Sequence, residues 1–526
     1  MRQSPTGGCH PSPGRIAYRG APRADPTEPM PPAPALTSAR LPAPRPILAC
    51  AGALALAALL GGCISMAPPD TRPPLPVRAS WEPDAAAQPA AASAAALDWR
   101  DYFADPTLRE LIAQALDNNR DLRVAAARVA QAYAAYGIQR ADLFPSLAGV
   151  AGDTRQRVPG DLNLTGRPVI SSQYQVGLAL SPWELDFWGR VRNLKDAALD
   201  SYLASEASQR AVGQGLITQV AQTYLALREL DERIMLARRT IDSRAESLRI
   251  FRRREQVGSA SRLELTEVTT LWQQARTLAA QLEQERAAQA HALELLVGRP
   301  VDMAPATGLI DDAELMRELA PGLPSALLEN RPDIVAAEHQ LRAANANIGA
   351  ARAAFFPQIT LTGSLATASA DLSGLFRGGS LAWNFAPSIT LPIFQGGRLR
   401  ANLALTEAQR AEAVAQYERT IQGAFRDVAD ALSARRWLAE QVDILQATQA
   451  AQAERARLAK LRYDHGAAAF LEVLDAERDL LAVEQQAVQS RRALLASRVS
   501  LYAALGGGGT AVDAARSAPA PAPPPQ

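Results

Sequence analysis

Two carboxylates, Glu472 and Asp475, stand three residues apart shortly after Gly466, with Leu471 just before them. On a helix that spacing places both acids on one face. Repeated around an axis, inward carboxylates would form a ring of like charge that attracts cations and can constrict or be bridged. Glu264 and Glu267 repeat the pattern after Gly258. The plainer alternative is a set of solvated acids on an outer helix face, above all for Glu264 and Glu267. Other chemistry finds no support. His10, His291, His339 and His465 are scattered, without His-Glu-x-x-His or paired metal spacing. No glycine-rich phosphate loop follows a strand, since Gly506 to Gly509 ends a helix and leads into a tail. The chain therefore reads as non-enzymatic and without cofactor. A net charge of +1 argues against nucleic acid.

The elements that must position these acids are written twice. Arg190 to Gly298 lies over Arg398 to Gly506 without a gap (398 − 190 = 208), matching Gly215 with Gly423, Gly258 with Gly466, and Glu264 with Glu472. Upstream, Leu116 to Pro145 lies over Leu328 to Pro357 (328 − 116 = 212), closing on the pairs Phe144-Pro145 and Phe356-Pro357. A duplication this long means one structural unit used twice.

Each copy begins with a helical pattern and then changes period. Tyr174, Val176, Leu178 and Leu180 alternate with polar or small residues, as do Ile359, Leu361 and Leu365, and Trp383, Phe385, Ile389 and Leu391. Each copy thus holds a long β-hairpin, with tips near residues 160–166 and 373–380. Helix follows, free of proline from Pro182 to Pro300 and from Pro392 to Pro519. The spacing predicts helical hairpins over about 190–255 and 260–297, and over about 398–463 and 468–505. A helix of some 65 residues is about 100 Å long. Leu474, Leu481, Val488, Leu495 and Tyr502 recur every seven residues, beside Val473, Leu480, Ala487, Leu494 and Leu501. Two adjacent columns make a seam for neighbours on two sides, as in a barrel of helices; a two-stranded coiled coil needs one. Alanine and leucine dominate the apolar 48%, and aromatics supply only 5%, as long helices require.

Three cysteines occur, Cys9, Cys50 and Cys63, so the body of the chain has neither a disulfide framework nor a thiolate metal site. Arg40 and Arg45 precede an apolar run from Ile47 to Leu60, too short to span a bilayer. The run ends in Leu60-Gly61-Gly62-Cys63, which resembles the bacterial lipobox. The resemblance implies cleavage before Cys63 and acylation of the new N-terminus. Ile64, in place of an Asp, fits outer-membrane sorting. An ordinary secretory signal with an incidental cysteine is the alternative. Residues 1–29 look unlike a signal, so Met30 is the expected start. The expected organisation is a leader at 1–62, a lipidated tether at 63–105, and a first repeat at 106–298. A linker at 299–322, a second repeat at 323–506 and a disordered tail at 507–526 follow.

Ten-residue amphiphilic strands match the span of a tilted transmembrane β-strand. In hydrocarbon such a sheet must close on itself, and four strands cannot close. Several chains must pool theirs; a soluble hairpin packed on helices is the rival. Ser181-Pro182-Trp183-Glu184-Leu185-Asp186-Phe187-Trp188-Gly189-Arg190 resembles the strand-to-helix junction of TolC-type outer-membrane efflux proteins, in the lipoprotein branch typified by OprM and NodT. Leu391-Pro392-Ile393-Phe394-Gln395-Gly396-Gly397-Arg398 resembles the matching second junction, with Gln395 where Asp is more usual. Glu329 to Asp333, Arg462-Tyr463 to Gly466, and Leu471 to Ala476 also fit, so the likeness spans about residues 65 to 506.

The resemblance implies a homotrimer in the outer membrane, a twelve-stranded β-barrel with four strands per chain continued by a twelve-helix periplasmic α-barrel. It implies a passive exit duct for drugs, solvents or metal ions. Its partners would be a periplasmic adaptor and an inner-membrane transporter of the RND type. It also implies a periplasmic gate of Leu471, Glu472 and Asp475, with Tyr463 as a latch and Glu264 and Glu267 as first-copy equivalents. Ala468 stands where some relatives carry a latching arginine. Adaptor contact is implied for the turns Val257-Gly258-Ser259-Ala260 and His465-Gly466-Ala467-Ala468, where a bend alone would also call for glycine. A type I protein-secretion duct and a non-conducting coiled-coil lipoprotein scaffold are the other readings.

Overall fold

The computed structural model describes residues 65–77, 97–306, 308, 315–317, 319 and 327–508. The leader, Met30, Cys63, residues 78–96 of the tether and the tail beyond residue 508 lie outside the described residues.

A short helix α1 (Trp99–Tyr102) is followed by α2 (Pro106–Asn118) and α3 (Arg120–Ala141). Asp105 caps α2 by accepting from the Thr107 and Leu108 amides, and Asn119 caps α3. Phe144-Pro145 ends the helical run, because the residue before a proline is pushed into extended conformation. Strands β1 (Leu147–Val158) and β2 (Val169–Glu184) form the first hairpin, and helices α4 (Arg190–Gln256) and α5 (Arg262–Val297) the first helical pair. After α6 (Leu327–Asn330), the second copy repeats this as α7 (Pro332–Ala353), β3 (Gln358–Ser369), β4 (Leu381–Thr390), α8 (Arg398–Asp464) and α9 (Phe470–Ala504). Helices α4 and α8 each run 67 residues, about 100 Å at 1.5 Å per residue.

The hairpins join into one antiparallel sheet in the order β1-β2-β3-β4. The seam between repeats is β2 on β3, with Leu178 facing Leu365 and a bulge between Leu180 and Trp183. Gly177 is required there: a Cβ on it would sit 2.3 Å from Ala366 Cα. Trp383 (75%), Phe385 (60%) and Ile389 (70%) are exposed on one face of β4, beside the exposed Leu365. On β2, Val176 and Leu178 continue that bare apolar surface.

The junction from β2 into α4 is built from charge. Glu184 takes a forked pair of bonds from Arg190, and Asp186 accepts from the Arg192 amide at 2.8 Å, so an acid sits at the helix N-terminus, where its dipole favours one. Trp188 donates to the Pro357 carbonyl at 2.8 Å and stacks on Phe356 at 4.9 Å, fastening the first copy to the second.

The main core surrounds the middle of the long helices, far along the chain from both strands and turns. Leu216, Ile217, Tyr224 and Leu225 of α4 pack with Val428 of α8 and Leu495, Val499 and Tyr502 of α9. Trp99, Tyr102 and Phe103 are buried in this cluster, as are Leu315, Met316 and Leu319. The end of the expected tether and part of the expected linker are therefore core, because their aromatic and aliphatic side chains find the apolar ends of α5 and α9. Tyr102 stacks on Tyr502 at 4.2 Å and donates to the Arg498 carbonyl, while Tyr502 donates to the Leu97 carbonyl. Residues 65–77 lie along α7 and α4: Ser65 donates to Asn193 at 2.8 Å, and Arg72 forks onto Glu338 at 3.1 Å. Both heptad columns of α9 are buried or half-buried, Leu481 and Val488 against Leu236 of α4, and Val473, with Ala476 beside it, against Ala459 of α8.

Candidate functional site

The helical turns far from the sheet bring the flagged residues together. Both bends close by the same bonds: Gly258 N–H donates to the Glu255 carbonyl and Ser259 N–H to that of Arg254, as Gly466 does to Tyr463 and Ala467 to Arg462. Gly258 and Gly466 both hold φ near 73°, the left-handed conformation that favours glycine. Val257, Ser259, His465 and Ala467 are exposed, and Ala260 and Ala468 are half-buried. The two bends thus form small-residue knobs with little side-chain bulk.

The copies part company at the next helix start. Ser261 caps α5, accepting from the Glu264 amide at 3.2 Å while its own amide donates to the Glu264 carboxylate at 2.7 Å. That reciprocal capping box employs Glu264 locally. The Ser261 backbone N–H, and then its side chain, hold the Glu264 carboxyl below the ordinary carboxylate range. Ala469 occupies the equivalent cap of α9 and has no hydroxyl to offer. Glu472 is thereby released, and Arg462 of α8 takes it at 2.5 Å. Asp475 pairs with Arg478 at 3.2 Å, and Arg478 and Arg455 both reach Asp479. Each second-copy acid thus has an arginine on its own chain, which lowers the net negative charge the tip presents. Glu267 is half-buried beside the buried Val268, and Leu471 is exposed (49%).

Tyr463 accepts a hydrogen bond from Arg254, across the two repeats. Phe470 lies against Tyr463 at 4.9 Å and Phe251 at 4.5 Å, so one ring belongs to the apolar clusters of both hairpins. Motif spacing missed Arg254, Phe470 and Phe251, and marked Arg462 only as part of the turn motif, not as the partner of an acid. Arg254 is one of three consecutive arginines, and nothing in the run marks which one turns inward. Deeper in the same region burial raises the Glu477 carboxyl and lowers the Arg244 guanidinium, two groups of opposite charge that act on each other across the repeats. Arg244 also donates to the Leu271 carbonyl at 2.6 Å. Among the described residues no group of three or more His, Cys, Asp or Glu side chains could hold a metal ion.

A sheet with a bare apolar face, mounted on helical pairs whose longer members run about 100 Å and duplicated within one chain, defines a channel-forming protein of the outer-membrane efflux class. The outer membrane efflux protein family matches residues 111–299 and 323–507, and the chain belongs to that family. It is 46% identical over 458 residues to the outer membrane protein OprJ of Pseudomonas aeruginosa, covering 87% of this chain and 95% of that one. It is 44% identical over 469 residues to the toluene efflux pump outer membrane protein TtgF of Pseudomonas putida, covering 86% and 96%. Among solved structures, a membrane protein from Pseudomonas aeruginosa superposes with a TM-score of 0.79 at 44% identity, over 84% of this chain and all of that one. The open state of the Neisseria gonorrhoeae MtrE outer membrane channel superposes at 0.77 with 39% identity, over 85% and 98%. The chain is an outer-membrane efflux protein and not an enzyme.

Proposed function

We propose that three copies of this chain form the exit duct of a tripartite efflux pump, twelve strands closing in the outer membrane above twelve periplasmic helices. The observation that carries this reading is the open four-stranded sheet: its apolar face is bare, and its outer edges belong to β1 and β4. An edge row of unpaired backbone groups cannot stand in hydrocarbon, so the edges must find each other across subunits. The duct is passive, and a periplasmic adaptor and an RND-type inner-membrane transporter supply the cargo and the energy. The names of two relatives, a toluene efflux pump and a solvent efflux pump outer membrane protein, support small organic molecules as cargo. Cys63, acylated, anchors each subunit to the membrane.

The bends at Val257 to Ala260 and His465 to Ala468 meet the adaptor, and the gate lies beside them. Leu471, Glu472, Asp475 and Tyr463 line the constriction, with Arg462, Arg478 and Arg254 as counter-charges. Glu264 acts by holding its helix start rather than by lining the opening, and Glu267 stands behind it. Planar-bilayer recording tests the assignment. Asp475→Ala, alone or with Glu472→Ala, is expected to raise conductance and weaken block by divalent cations. Unchanged conductance with unchanged block removes these acids from the gate.

A further inference from the structure

The internal duplication, read together with the ladder inside one chain, fixes how neighbouring subunits join. This rests on the closed oligomeric barrel proposed above. The hairpins superpose with Gly149–Leu178 lying on Leu361–Pro387. That match keeps Phe144-Pro145 on Phe356-Pro357, and leaves one residue over in β2 before the equivalent helices α4 and α8 come into step. The extra residue is the bulge observed between Leu180 and Trp183. Strand β1 therefore stands to β3, and β2 to β4, as copies. Within the chain β2 faces β3, so β4 stands to the next subunit's β1 as β2 stands to β3.

We infer that the open edge of β4 takes β1 of a second copy of this chain in one register, Ser388 opposite Gly152 and Asn384 opposite Gln156 of the neighbour. These pairs are the images of Ala179–Ser364 and Gln175–Ala368 inside the chain. On the lipid-facing side the same register sets Trp383 across from Arg157 and Phe385 across from Arg155, images of Tyr174–Ser369 and Val176–Thr367. A guanidinium over an aromatic ring adds attraction there.

Backbone polarity checks the register independently. Ala368 N–H donates to the Ser380 carbonyl, so even-numbered residues of β4 bond inward to β3. Ser181 N–H donates to the Ser146 carbonyl, so even-numbered residues of β1 bond inward to β2. The odd-numbered residues of both edge strands then turn their N–H and C=O groups outward, since bonding alternates along an antiparallel strand. The inferred register brings outward groups onto outward groups; a slip of one residue would set them against inward ones. Pro387 also lies on the outward side and has no N–H to give, so its pairing with Asp153 of the neighbour lacks one ladder bond. Side chains below the sheet agree. Trp188 stacks on Phe356 at the inner seam and leaves it 37% exposed, whereas Phe144 on one margin (63%) and Ile393 and Phe394 on the other (92% and 89%) are barer.

Cysteine pairs test the register, because the sequence has no cysteine after Cys63. Ser388→Cys with Gly152→Cys, and separately Asn384→Cys with Gln156→Cys, are expected to give a disulfide-linked trimer of the full chain in detergent on mild oxidation. These are non-hydrogen-bonded pairs, with Cα atoms about 4.5 Å apart. Ser388→Cys with Val150→Cys or Thr154→Cys, two residues out of register, should link at least tenfold less. Equal or better linking by an offset pair overturns the register. So does a trimer by mass that neither in-register pair can link. A chain that stays monomeric in detergent and carries no current overturns the duct itself.

Discussion

Ala469→Ser should stiffen the start of α9, and the size of the effect can be worked from the first copy. Ser261 caps α5 with φ −79° and ψ 155°, and Ala469 already holds φ −72° and ψ 151°. A serine there needs no backbone adjustment, so it should recover the ordinary value of an N-cap over alanine, about 1 kcal/mol. Against this stands the Arg462–Glu472 pair, which loses its acid if Glu472 turns back to the backbone amide of the new cap, as Glu264 does to that of Ser261. With both side chains around half exposed, that pair contributes only a few tenths, within the ~0–1 kcal/mol of surface ion pairs. The net gain of ~0.7 kcal/mol corresponds to roughly three-fold slower local opening. Hydrogen exchange of residues 470–476 in the reconstituted protein reads it directly. Ser261→Ala supplies the mirror image, with roughly five-fold faster exchange at the start of α5. Protection at residues 470–476 that stays level or falls would refute the reasoning from copy to copy.

The cross-repeat bond makes its own claim: Tyr463→Phe removes the acceptor for Arg254 and should cost about 1–2 kcal/mol in local stability at the tips. Limited proteolysis near residues 257–260 should then run faster, and an unaltered cleavage rate would show the bond to be idle. Glu264 predicts a pH effect. Its folded pKa is depressed by the Ser261 amide, so its stabilisation is present above the unfolded carboxylate value and fades as pH falls through the lower folded one. The protection factor of the Ser261 amide should drop in that acid window, and Glu264→Gln, which keeps the cap without a titrating charge, should flatten the profile. Cys63→Ser should abolish incorporation of radiolabelled fatty acid; label that persists would place the anchor elsewhere.

The architecture was open to reading because two periodicities and a duplication encode it. Strict alternation marked β2, β3 and β4, and proline-free stretches of over a hundred residues marked the helical hairpins. Seven-residue columns foretold neighbours on two sides of α9, and Leu481 and Val473, one from each column, are buried against α4 and α8. Local signals were carried by neighbours in sequence, and these are what single-chain patterns record. The partners of the acids were not legible. Arg462 reaches Glu472 only because Ala469 fails to cap, and Arg254 meets Tyr463 across 209 positions. The capping box at Ser261 and Glu264 was written plainly as Ser-x-x-Glu, yet the identical acid spacing in the second copy drew attention to charge instead. Trp99 and Tyr102 were hidden for another reason: a proline- and alanine-rich approach gives no hint that the next few side chains are core.

The stacking of Tyr102 on Tyr502 has a kinetic side. Tyr102 bonds a carbonyl 396 positions later, and Tyr502 bonds one 405 positions earlier. Contacts of such separation are slow to form, because the entropy of a very long loop is lost before any reward arrives. The central core cannot set until almost the last helix has emerged from the translocation machinery. Setting of the central core is therefore expected to be a late step of folding, waiting on the joining of the first and last helical segments rather than on either hairpin alone.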